Sequence, residues 1–94
     1  MSFMKKLPAS LREIRILICQ TSPGSAGVRQ YVASQYPSIK SAHPDLKFLV
    51  REARGIPARA IARFDGGYES ELALDGVSAE AVGDRLRSLV ENGK

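Results

Sequence analysis

Hydrophobic positions along the first half of the chain predict a strand followed by a helix. Residues 12–19 are rich in β-branched side chains and become almost continuously apolar, which is typical of a central strand covered on both faces. Ser22 and Pro23 then match a helix start, with serine as the cap and proline in the first turn. Pro37 predicts a kink or a break near Tyr36. The helical spacing of the apolar residues predicts one buried stripe, made of Val28, Tyr31, Val32, Tyr36 and Ile39.

The pattern after residue 45 predicts three further strands. Residues 46–52 form the second strand, which a crossover helix places parallel to the first strand. Residues 58–64 and 68–74 flank an Asp-Gly-Gly sequence at 65–67, whose glycines supply the positive φ angles of a tight turn. These two segments are therefore predicted to form a β-hairpin.

A final helix closes the chain and completes the expected fold. Ser78 predicts its cap and Gly93 its end, with Val82, Leu86, Leu89 and Val90 on the buried side. The element order is β-α-β-β-β-α, an α/β fold with a four-stranded mixed sheet and two main helices. We expect a single domain over residues 11–94, preceded by an N-terminal extension over residues 1–10.

Composition agrees with one ordinary folded domain. The chain has 94 residues, with 44% hydrophobic and 26% charged, which is typical of a small globular protein. It has one cysteine and one histidine, which excludes an intramolecular disulfide and a Cys/His zinc cluster. No bound metal or cofactor is expected. The longest apolar run, residues 14–19, is interrupted by Arg15 and is too short to span a membrane, so no membrane insertion is expected.

The positive charge is concentrated in the first half of the chain. The net charge is +4, and residues 1–54 hold nine basic and three acidic side chains, whereas residues 55–94 hold five and seven. No dense Lys/Arg tract occurs, so nucleic acid is not the expected partner. Four arginines are candidates for a basic stripe on adjacent strands that faces an acidic partner: Arg51, Arg54, Arg59 and Arg63. The alternative is a solvated strand edge whose charges prevent aggregation.

Candidate chemistry is confined to the junction between the first strand and the first helix. Cys19 precedes Ser22 by three residues, and a nearby helix N-terminus can lower a thiol pKa, so Cys19 is a candidate redox-sensitive thiol. The alternative is a buried cysteine that acts as a small hydrophobe. The sequence Ser22-Pro23-Gly24-Ser25 is a candidate helix cap. It is also a possible contact for a carboxylate of a partner protein, since free N–H groups at a helix start favour negative charge.

These features resemble the thioredoxin fold without its middle helix. Cys19-Gln-Thr-Ser22 stands where thioredoxins and glutaredoxins carry CxxC or CxxS. Pro57, just before the hairpin, stands where they carry a cis-proline, so Pro57 is a candidate cis-proline. The segments 11–16, 19–29 and 43–52 are in addition similar to the thioredoxin-like accessory subunit of mitochondrial NADH:ubiquinone oxidoreductase, respiratory complex I. That family also includes small mitochondrial ribosomal proteins.

The resemblance implies a non-catalytic accessory subunit without a small-molecule substrate. Its place would be the matrix face of the mitochondrial inner membrane, where it would stabilise or help assemble the peripheral arm of complex I against other subunits of that arm, with iron–sulfur subunits as partners. Some relatives carry a second cysteine near the end of the second strand. Residues 51–54 here are Arg-Glu-Ala-Arg, so this chain lacks an intramolecular thiol switch. The alternatives are a mitochondrial ribosomal protein and a monothiol redox protein.

Overall fold

Two helices and one sheet make up the described part of the chain, residues 9–92 of a computed structural model. The strands are β1 (Leu11–Ile18), β2 (Lys47–Glu52), β3 (Arg59–Phe64) and β4 (Glu69–Ala73). The helices are α1 (Ala26–Ala42), which follows a 3-10 turn at Pro23–Ser25, and α2 (Ala79–Asn92). The predicted α/β fold and element order are confirmed. Residues 1–8 of the expected extension, and Gly93 as the helix end, lie outside the described residues.

The four strands form one mixed sheet in the order β2-β1-β3-β4. β1 pairs parallel with β2 and antiparallel with β3, and β3 pairs antiparallel with β4. Residues Asp65–Gly67 form the hairpin turn, and Gly66 and Gly67 have φ near +80°. The predicted central position of β1, the parallel crossover and the hairpin are therefore confirmed. No helix within residues 9–92 is long and apolar enough to cross a membrane.

The two sides of the sheet differ in burial. On the side that we call the core face, most even-numbered strand residues, together with Leu11 ahead of a register shift in β1, form one buried cluster with residues of both helices, and α1 and α2 also contact each other. The buried cluster on this side combines strand residues Ile14, Ile16, Ile18, Phe48, Ala60, Ala62 and Phe64 with helix residues Val28, Tyr31, Ile39, Val82, Leu86, Leu89 and Val90. Layered packing of this kind is the usual solution for an α/β domain.

The opposite side, which we call the open face, is not covered by either helix. It carries the odd-numbered strand residues Glu13, Arg15, Leu17, Lys47, Leu49, Arg51, Arg59, Ile61, Arg63, Glu69, Glu71 and Ala73. All of them except Glu13 are half-buried or exposed. The prediction that the first strand is covered on both faces is therefore wrong, because its odd-numbered apolar residue, Leu17, lies on the open face.

Helix α1 continues through Pro37 to Ala42, so the predicted break near Tyr36 does not occur. Pro37 is exposed, and solvent can therefore satisfy the backbone carbonyl that loses its helical hydrogen bond. The predicted apolar stripe is confirmed for its three buried members, Val28, Tyr31 and Ile39. Tyr36 is 37% exposed, and its ring makes a T-shaped contact with the Phe48 ring, with 5.8 Å between the ring centroids.

Candidate functional site

Cys19 is held at the point where β1 leaves the sheet. Its side chain is buried, with 3% of the residue exposed. The Ala53 N–H donates to the Ile18 carbonyl at 3.0 Å, which continues the pairing of β1 beyond β2 and brings the following loop over the thiol. The Gly55 N–H in that loop donates to Cys19 Sγ at 3.3 Å. Residues distant in sequence therefore define the environment of this cysteine.

The surroundings of Cys19 favour the thiolate. The Gly55 N–H is the largest influence, followed by the backbone and hydroxyl of Thr21, and together they outweigh desolvation and lower the pKa of Cys19 to about 7. The Thr21 hydroxyl lies 3.7 Å from the sulfur. Hydrogen bonds to the charged form lower a pKa. The thiol therefore has an acidity that suits oxidation, and a burial that limits access to it.

Arg29 and Ser25 fix the loop between β1 and α1. The guanidinium Nη1 of Arg29 donates to the carbonyl of Cys19 at 2.8 Å and to that of Ser22 at 2.9 Å. Ser25 is completely buried, and its hydroxyl accepts the Cys19 N–H at 3.1 Å. Arg29 was not a predicted site residue, although it ends the segment 19–29 that carries the family resemblance. Its role becomes visible only once the helix places its side chain back over the loop.

The predicted cap at Ser22 is confirmed, since its hydroxyl accepts the Gly24 N–H at 3.3 Å ahead of the turn that begins at Pro23. The space at Gly24 is filled by the same chain, because a Cβ added there would lie 2.3 Å from Asp75 Oδ1. The Gly76 N–H donates to the Gly24 carbonyl at 2.8 Å. A contact between Ser22–Ser25 and a partner protein stays a prediction.

No peptide bond within residues 9–92 is cis, so the bond between Ile56 and Pro57 is trans. The candidate cis-proline is therefore a wrong prediction. The chain enters β3 with the Ala58 N–H bound to Asp75 Oδ1 at 3.2 Å and the Ala58 carbonyl bound to the Leu74 N–H at 2.8 Å. These bonds hold the hairpin start in place next to a trans proline.

The four candidate arginines do not form a stripe on adjacent strands, because β1 separates β2 from β3. Arg51 and Arg59 instead lie on either side of Leu17 in the same row of the open face. Arg63 lies further along the same face, and Arg54 lies in the loop after β2, at a pocket shared with Cys19. Only Arg59 forms an ion pair within the described residues, at 2.7 Å from Glu71.

The fold and the site define the class of protein. It is a small α/β protein with a mixed sheet, one thiol and one uncovered sheet face, and residues 9–92 bring no three metal-binding side chains together. The chain belongs to the family described as mitochondrial ribosomal protein L51 / S25 / CI-B8 domain, whose family model matches residues 28–79. Cys19 and the loop that follows it lie before the matched segment.

Three relatives from a plant, an animal and a fungus match most of the chain. The Arabidopsis thaliana relative, named NADH dehydrogenase [ubiquinone] 1 alpha subcomplex subunit 2, is 38% identical over 99% of this chain and 96% of its own length. The Mus musculus protein of the same name is 39% identical over 85% and 81%. A Neurospora crassa protein, named NADH-ubiquinone oxidoreductase 10.5 kDa subunit, is 37% identical over 87% of each chain.

Proposed function

We propose that this chain is a non-catalytic accessory subunit of mitochondrial respiratory complex I. The observation that carries the proposal is the 38% identity to the Arabidopsis subunit, which extends over nearly the full length of both chains. Relatives from two further kingdoms have names that refer to the same enzyme. The proposed role is to stabilise or help assemble the matrix-facing peripheral arm, next to iron–sulfur subunits.

The site supports a structural role better than a catalytic one. Cys19 has an acidic thiol, yet it is 3% exposed. A thiol-exchange enzyme needs a nucleophile that its substrate can reach. Within the described residues, the groups that hydrogen-bond to the sulfur are the Gly55 N–H and the Thr21 hydroxyl, and no charged side chain bonds to it. This arrangement fits a Cys19 side chain that contributes to packing and does not react with a substrate.

The family name also includes ribosomal proteins, and the charge pattern argues against that function here. Binding to RNA needs a run of cationic side chains that follows the phosphates. On the open face, acidic residues lie between the basic ones, as in the row Lys47, Glu13, Arg63 and Glu69. Such a row gives phosphates no continuous cationic path.

A native gel of detergent-solubilised mitochondria tests the proposal. The chain is tagged at its C-terminus, and the expected result is that the tag migrates with NADH dehydrogenase activity. A Cys19→Ser variant is the matched control, because serine can still accept the Gly55 N–H, and we expect it to assemble like the wild type. Migration of the tag with ribosomal RNA or as a free small protein would contradict the proposal. Loss of assembly in Cys19→Ser, together with thiol-exchange activity in the wild type, would favour a redox protein.

A further inference from the structure

The open face combines three aliphatic side chains, grouped around the ion-paired Arg15, with a charged border. Pairing registers place Leu49, Arg15 and Ile61 in one row across three strands, and Leu17 in the next row on β1. The three aliphatic side chains are half-buried and surround Arg15. None of the three belongs to the buried core cluster or is among the partly buried residues packed against it. An aliphatic centre inside a polar rim is the usual composition of a protein interface.

The charges of this face that are left without a partner are mostly positive. Arg15 Nη2 lies 2.6 Å from Glu13 and Arg59 Nη1 lies 2.7 Å from Glu71, so these four charges are paired within the face. Three cations and one acid of the face form no ion pair with any described residue: Lys47, Arg51, Arg63 and Glu69. Two of these cations, Lys47 and Arg51, lie on the edge strand β2. The face is thus complementary to a surface with negative charge on the β2 side.

The excess of positive charge on the open face also makes a second copy of the chain a poor partner for this face. The face holds five basic and three acidic side chains, so two such faces pressed together would bring an excess of positive charge into one interface. An acidic segment of another protein neutralises that excess. Like charges across an interface select against the wrong partner.

The dimensions of the face suit one helix. Four strands about 4.8 Å apart give a width of about 14 Å between the outer strands, and the three residue rows extend over a similar length. A helix about 10 Å across can lie over β1 and β3 and bring its two flanks close to β2 and β4. Its apolar residues would then fall over Leu17, Leu49 and Ile61.

We propose that the open face docks an acidic amphipathic helix of a neighbouring complex I subunit. The helix presents aliphatic side chains to Leu17, Leu49 and Ile61, and its carboxylates face Lys47 and Arg51 on the β2 side. This inference rests on the proposed function, because the neighbour is a subunit of the same complex. The sequence predicted a basic stripe as the partner-facing surface. The proposed docking surface is instead a mixed apolar and cationic face, and Arg54 does not belong to it.

The first experiment compares two charge reversals in the tagged chain. Arg51→Glu changes the open face, whereas Arg85→Glu changes an exposed arginine on α2. Neither arginine forms an ion pair with a described residue. We expect Arg51→Glu to lower the amount of chain found with complex I at least about tenfold, the scale of one important interface residue. Arg85→Glu should assemble like the wild type. Circular dichroism and thermal unfolding of both purified variants should match the wild type.

The second experiment identifies the occupant in the intact complex. A photo-crosslinking amino acid replaces Ile61 on the open face or Arg85 on α2, and the linked peptide is sequenced by mass spectrometry. The expected peptide from position 61 belongs to a complex I subunit and has aliphatic residues at helical spacing with Asp or Glu beside them. Position 85 should not link to that peptide.

The outcomes separate the inference from the function on which it rests. Wild-type chain found outside complex I would overturn the proposed function and this inference with it. Wild-type chain in complex I, with Arg51→Glu retained equally well, would overturn the inference alone. A link from position 61 to a second copy of the chain, or to a basic peptide, would also overturn it.

Discussion

The core face and the open face of the sheet are built from the same strands, yet they differ in burial and in charge. On β1, Ile14, Ile16 and Ile18 are at most 2% exposed, whereas Arg15 and Leu17 between them are half-buried. The core face is covered by two helices of this chain. The open face carries aliphatic side chains and no covering helix within the described residues.

This difference shows that the open face keeps apolar side chains that the fold of this chain does not bury completely. A side chain on the core face contributes to the stability of the isolated domain, because folding removes it from water. A half-buried aliphatic side chain on the open face contributes less to folding than a fully buried one, and it keeps part of its apolar surface available for a partner. We therefore expect substitutions on the two faces to separate stability from assembly.

The largest expected effect is on the core face and is measured by one matched pair of variants. Ile16→Ala removes a side chain that is 0% exposed and should lower the free energy of unfolding by about 2–5 kcal/mol. Ile61→Ala removes the same atoms from the half-buried position on the open face and should cost about 1 kcal/mol. Urea unfolding of the purified proteins gives both values. Equal losses at the two positions would contradict the distinction between the faces.

A smaller effect is expected at Cys19, which continues the odd-numbered alternation of β1 but is buried by the loop at Ala53–Gly55. Its pKa is lowered from 9.0 to about 7 in the folded chain. Below pH 7 the thiol is protonated in both states and adds nothing to the pH dependence. Between about pH 7 and 9 the unfolded chain binds the proton that the folded chain has lost, so stability should rise with pH.

The measurement for Cys19 is the urea midpoint of the wild type and of Cys19→Ala over this pH range. The wild type should gain stability relative to the variant as the pH rises, and the gain should level off near pH 9, the unfolded value. The ultraviolet absorbance of the thiolate should show a midpoint near pH 7 in the folded protein. A constant difference between the two proteins at all pH values would show that the loop does not stabilise the thiolate.

The element order and the core were predictable because local periodicity determines them. The β-branched, almost continuously apolar run of β1, the helical spacing of Val28 and Tyr31, and the glycines at 66 and 67 each point to one structure. The open face was not predictable in the same way. An almost continuous apolar run indicates cover on both faces, and only the full topology shows that both helices lie on one side.

The site was less predictable than the fold because its contacts are distant in sequence. The Gly55 N–H that contacts the thiol is 36 residues from Cys19, and Asp75 is 17 residues from the backbone N–H that it binds. No motif in the sequence joins these positions. The row that places Arg51 and Arg59 on either side of Leu17 likewise depends on the pairing register.

The smallest expected effect concerns the ion pair between Arg59 and Glu71 on the open face. Its side chains are 44% and 52% exposed, and exposed pairs of this kind contribute at most about 1 kcal/mol. A double-mutant cycle with Arg59→Ala and Glu71→Ala should therefore give a coupling below that value, and the coupling should fall as salt is added. A coupling that exceeds about 2 kcal/mol and resists salt would mean that the pair is screened from water. The open face would then be a closed surface of the folded domain, and its charges would not be available to a partner.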